Sequence, residues 1–78
     1  MKIRTANEMK EFKAALSRCT NSVWLMGPND ECYNMKKEDE YINGILKITE
    51  GDGDQFGIFT GSYEDEAVMW EICEKLAA

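Results

Sequence analysis

The 78 residues contain no histidine, so any side chain here that does chemistry does it without imidazole. That removes the ordinary general base near neutral pH. It also removes a Ser-His or Cys-His nucleophile pair, a His-ligated metal and a phosphohistidine. Two hydroxyls stand at places where phosphate could be accepted. Thr5 precedes a helical stretch, and a helix N-terminus welcomes an anion. The spacing Thr5-Ala6-Asn7-Glu8 is also a capping box, in which the hydroxyl accepts from a first-turn N–H and the glutamate reaches back. Capping is the expected role. Tyr41 is the second hydroxyl, and its neighbours Ile42 and Ile45 point to packing instead.

The remaining reactive groups are thiols and carboxylates. Cys19, Cys32 and Cys73 are odd in number and widely spaced, with no CxxC pair, so reduced thiols are expected. Cys19 and Cys73 fall on apolar helical stripes, where a thiol packs as a small hydrophobe. Cys32 is in or near a strand. No helix N-terminus adjoins it in sequence to activate it, and the nearest cations are Lys36 and Lys37. The run Glu50-Gly51-Asp52-Gly53-Asp54 looks like a calcium loop but fails its pattern. Its sixth position holds Gln55 and its twelfth holds Gly61, where Gly and Glu are needed. A paired-carboxylate hydrolase needs an enclosed cleft that so small a domain rarely offers. No metal, no cofactor and no enzymatic activity are expected.

These residues must be positioned by a few short elements. Lys2-Ile3-Arg4 is a candidate strand. Met9, Phe12, Leu16 and Cys19 recur at helical spacing behind Thr5, with Lys10, Lys13 and Arg18 off the stripe. Val23 to Met26 reads as a strand, Gly27-Pro28-Asn29-Asp30 as a turn, and Cys32 to Met35 as the returning strand. Tyr41, Ile42, Ile45 and Leu46 give a second helix an apolar face. Gly44 lies inside that helix, which suggests a close approach. Gln55 to Thr60 reads as a last strand. Ser62 then caps a last helix whose buried side carries Asp65, Val68, Met69, Ile72, Cys73 and Leu76. Trp70 lies off that side. The order is β-α-β-β-α-β-α in one domain, residues 1–78. The class is α+β, an open-faced β-sandwich with a small antiparallel sheet and three helices on one face.

Order and length together resemble the HPr-like fold, that of the histidine-containing phosphocarrier of the bacterial sugar phosphotransferase system. The residues carrying the resemblance are Tyr41-Ile42-Asn43-Gly44-Ile45-Leu46-Lys47-Ile48, similar to that family's second helix. Glu11-Phe12 with Leu16 is similar to its first helix. Phe59-Thr60-Gly61 before Glu64-Asp65-Glu66 is similar to its last strand and helix. The resemblance places the phospho-acceptor histidine at the position of Thr5, a phosphate-holding arginine at Asn7 and a regulatory serine at Tyr41. All three positions depart from the family pattern, and the stretch from Gly27 to Tyr41 is longer. What the resemblance implies is a scaffold in the bacterial cytoplasm that has kept its shape without phosphocarrier activity.

The expected role is protein interaction or regulation related to that system. Two surfaces are candidates. In a strand, Trp24 and Met26 share one side and Val23 and Leu25 the other. If the second pair faces the helices, the first lies on an open sheet face, where Tyr33 or Met35 could join it. The opposite register buries Trp24, and the sequence leaves both open. Lys10 and Lys13 on the first helix mark the surface that phosphocarriers use for partners, and Trp70 is a flank of the last helix. The net charge of −6 disfavours nucleic acid. No apolar run approaches a membrane span, and a cytoplasmic protein is expected. The alternatives are a regulatory phosphoprotein modified on Thr5 or Tyr41, and an unrelated α+β module that self-associates through Trp24.

Overall fold

A computed structural model describes residues 2–77, the side chains of Asp52, Asp54 and Ala77 apart. Three helices and a three-stranded antiparallel sheet make up a small α+β domain. In chain order they are α1 (Ala6–Arg18), β1 (Val23–Met26), β2 (Cys32–Asn34), α2 (Glu38–Lys47), β3 (Gly57–Thr60) and α3 (Tyr63–Ala77). The sheet order is β2-β1-β3, both pairings antiparallel. Lys2-Ile3-Arg4 is not a strand. Ile3 is buried all the same. The Arg4 N–H donates to Glu8 Oε1 at 2.7 Å, so the helix cap claims this backbone before a ladder can. The order is therefore α-β-β-α-β-α.

The core forms where one face of the sheet meets the helices. Val23 and Leu25 are fully buried. They pack in one cluster with Phe12, Ala15 and Leu16 of α1, Ile45 of α2, and Met69, Ile72 and Leu76 of α3. The hairpin between β1 and β2 closes through Gly27 N–H to the Glu31 carbonyl at 2.8 Å. Asp30 takes the left-handed conformation at φ 58°, which a short polar side chain tolerates. Gly27 has a packing reason to lack a side chain. A Cβ there would lie 2.5 Å from the ring of buried Phe56. Gly44 shows the close approach its sequence context suggested, with a Cβ site 2.6 Å from Met35 Sδ and 3.2 Å from Leu25 Cδ2.

Two expectations about α2 and β3 change. The second helix starts at Glu38, one turn before Tyr41, because Asn34 and Glu40 organise its entry. Asn34 Oδ1 accepts from the Lys36 N–H at 3.0 Å, and Glu40 Oε1 accepts from the Asn34 N–H at 2.9 Å. Of the expected apolar face, only Ile45 is buried and Tyr41 half-buried, while Ile42 and Leu46 are exposed. The chain then continues through a wide π turn over Ile48–Asp52 and a 3-10 turn over Gly53–Gln55. These turns take up Gln55, so β3 begins at Gly57 rather than Gln55.

Candidate interaction surface

The alternation of β1 settles the register that the sequence left open. Val23 and Leu25 face the helices, and Trp24 and Met26 face out at 38% and 43% exposure. Neither Tyr33 nor Met35 joins them. Tyr33 is the cross-strand partner of Leu25, on the helix side, and Met35 is buried. The residue that does join is Phe59, directly opposite Trp24 on β3 and 54% exposed. Cys32, opposite Met26, completes the exposed row. The outer sheet face thus carries Trp24, Met26 and Phe59 with no helix over them. These neighbouring apolar side chains on one sheet face make it the candidate interaction surface.

Sequence reading passed over Phe59, although a usable signal was present. Phe56 and Phe59 are three apart, an odd spacing that sends them to opposite sides of an extended chain. Phe56 is the buried one.

Trp70 lies at the margin of the same surface. It projects from α3 at 62% exposure and, with Phe59, borders a groove of about 300 Å³ between α3 and β3. Phe59 therefore links the outer face to this groove.

The two hydroxyls considered for phosphate lie elsewhere. Thr5 is the N-cap of α1, its hydroxyl accepting from the Glu8 N–H at 3.1 Å. Glu8 reaches back to Arg4 N–H rather than to Thr5 N–H, one residue beyond the usual box. Tyr41 sits within α2, not at its start. Its ring lies under Lys13 Nζ, 5.7 Å from the centroid, and its hydroxyl touches Met9 Sδ at 3.9 Å. Burial raises its pKa. It thus joins α2 to α1. Lys10 and Lys13 are both exposed on α1, but Lys13 is engaged with that ring. The structure does not bring Thr5, Tyr41 and Trp24 together into one site.

The three thiols form no disulfide. Cys19 is buried, and its pKa is raised by burial first and by the Asp65 charge next. Cys73 is half-buried, with its pKa also raised by burial. Cys32 is exposed. Among the described residues no three Cys, Asp or Glu side chains converge as metal ligands would. The calcium-like loop lies partly outside those residues, at Asp52 and Asp54. Among the described residues no helix is long and apolar enough to cross a membrane.

Lys36 and Asp65 hold the corner between α1 and β1. Lys36 Nζ donates to the Leu16 and Cys19 carbonyls at 2.7 and 2.8 Å, at the end of α1, where the Leu16 carbonyl also accepts from the Cys19 N–H at 3.1 Å. Asp65, 1% exposed, accepts from the Thr20 and Asn21 N–H groups at 2.9 and 2.8 Å. Those two amides hold its carboxyl below the usual carboxylate range. This corner ends at Asn21, two residues before β1 begins.

Compared with known proteins, the chain matches no family model, no curated sequence and no solved structure.

Proposed function

We propose that the protein is a non-catalytic, HPr-like interaction module of the bacterial cytoplasm, without phosphocarrier activity. Its working surface is the uncovered sheet face. The observation that carries this reading is the row Trp24, Met26 and Phe59, apolar and exposed beside a filled core. Folding alone favours burying such side chains, at roughly 25 cal/mol per Å2 of apolar surface. A partner that covers the face recovers that stabilisation.

The HPr-like part of the proposal draws support from the element order, which from α1 onward is the one the resemblance implies. It also draws support from Thr5, which stands at the head of α1 where the resembling family carries its phosphate. A threonine engaged with Glu8 N–H caps the helix and has no histidine to replace it. Incubation with phosphoenolpyruvate and the phosphotransferase enzyme I, followed by intact-mass measurement, tests that half. The mass stays unchanged. Stoichiometric phosphate would overturn it. Light scattering of wild type against Trp24→Ser separates a partner surface from a self-association surface. Equal masses for both proteins are expected, and a dimer lost in the variant would favour self-association.

A further inference from the structure

β3 is an edge strand, and its backbone shows which residues face outward. The Val23 carbonyl accepts from Met35 N–H, and Gly27 N–H donates to Glu31. In an antiparallel strand a residue's N–H and C=O point to the same side and alternate along the chain. Val23, Leu25 and Gly27 therefore bond toward β2, and Trp24 and Met26 toward β3. Their partners Phe59 and Gly57 bond back to β1. Ile58 and Thr60 are left presenting N–H and C=O to the open edge. Among the described residues no hydrogen bond to those groups is found on that side.

The groove beside this edge has Ile58 to Thr60 on one wall and Glu66, Met69 and Trp70 on the other. Glu66 is its one charged side chain and makes no ion pair among the described residues. One helical turn beyond Trp70 on α3, Glu74 is exposed as well. A second copy of this chain would bring a charge of −6 against −6 and Glu66 against acid. The charge of the groove selects a cationic occupant instead.

We propose that the β3 edge takes up an extended partner segment, alternating apolar and basic, as a fourth strand. The segment's backbone bonds to Ile58 and Thr60, an apolar side chain packs on Trp70, and a Lys or Arg meets Glu66. This rests on the interaction-module reading and names the partner chemistry for its edge.

The test is an NMR titration of 15N-labelled protein with a capped hexapeptide in which lysine alternates with valine, carried to millimolar concentration. Shifts are expected at Ile58, Phe59, Thr60 and the Trp70 indole, with the Ile58 and Thr60 amides slowed in hydrogen exchange. Added salt weakens the binding. Trp70→Ala weakens it about tenfold, as loss of an aromatic anchor does. Glu66→Lys moves the preference to the same peptide with glutamate for lysine. Both residues are exposed, so both variants fold.

Three results would overturn the proposal: no shifts at the edge, equal binding of the lysine and glutamate peptides, or Ile58 and Thr60 amides already protected without peptide. The last would mean the chain's own residues 2–4 or a second copy fills the edge. Shifts confined to Trp24 and Met26 would overturn the edge pairing while leaving the outer-face reading in place.

Discussion

Lys36 and Asp65 hold one corner of the chain from opposite sides with opposite charges. Lys36 takes the last carbonyls of α1, and Asp65 takes the first amides after it. The pair attracts across the corner, and the Lys36 charge also helps keep Asp65 ionised. The Cys19 thiol sits at the same corner, its Sγ 3.5 Å from the Ala15 carbonyl and 4.0 Å from that of Asp65. Buried backbone groups are thereby matched where a helix must end and a strand begin.

The Asp65 carboxylate makes stability depend on acid. Its pKa is lowered in the folded protein, chiefly by the Thr20 and Asn21 amides. Its contribution is therefore complete above the unfolded value, about 3.9. It is lost as pH falls through the lower folded value. Asp65→Asn should unfold at lower urea concentration than wild type at neutral pH, and the difference should shrink below about pH 4. Lys36→Met should cost about 1 kcal/mol or less through loss of its charge and bonds at the C-terminal end of α1. An Asp65→Asn variant as stable as wild type at neutral pH would contradict the role given to the carboxylate.

Gly27 should not accept a side chain. The added Cβ would lie 2.5 Å from the ring of buried Phe56, which must shift to admit it. Gly27→Ala is expected to cost about 1–3 kcal/mol by overpacking. Urea denaturation of the two proteins measures it. A variant as stable as wild type would show that Phe56 is looser than its burial implies.

Much of this was legible in the sequence, and the failures share a cause. The caps at Thr5 and Ser62 and the β1–β2 hairpin are local, so spacing and residue type reveal them, and a glycine inside a helix signals the close approach at Gly44 without naming its partners. The face occupied by Trp24 is not local. It depends on which side the helices cover, which is decided by packing between distant parts of the chain, as Val23 and Leu25 pack with Phe12, Ile45 and Met69. Asp65 left one clue, a carboxylate on an otherwise apolar stripe. Ile42 and Leu46 misled because an apolar residue on a helix need not face the core. The strand expected at Lys2–Arg4 failed because the backbone N–H of Arg4 serves the cap of α1.

The thiols should react in order of exposure. Cys32 should react with an aromatic disulfide reagent first, and Cys73 more slowly, with its thiolate disfavoured by burial. Cys19 should react only on unfolding, since burial and then Asp65 oppose its thiolate. Stopped-flow absorbance resolves the phases. A fast Cys19 phase in native buffer would contradict a closed α1–β1 corner.

The outer face should be almost neutral for folding. Trp24 and Phe59 are cross-strand neighbours, and such a pair contributes roughly 0.2–1 kcal/mol. Phe59→Ser should therefore lower stability by no more than about 1 kcal/mol. Thermal denaturation followed by circular dichroism checks this. A much larger loss would mean that Phe59 belongs to the core and not to a surface kept for a partner.

The face carrying Trp24, Met26 and Phe59 is the surface proposed for contact. A photo-crosslinking amino acid in place of Met26, in cells that make the protein, tests it most directly, with Asn43 on α2 as the control position. The account predicts one discrete adduct heavier than a dimer of this chain or distinct from it in mass, formed from position 26, absent from position 43 and lost on adding Phe59→Ser. No adduct from position 26, or the same adducts from both positions, would contradict it.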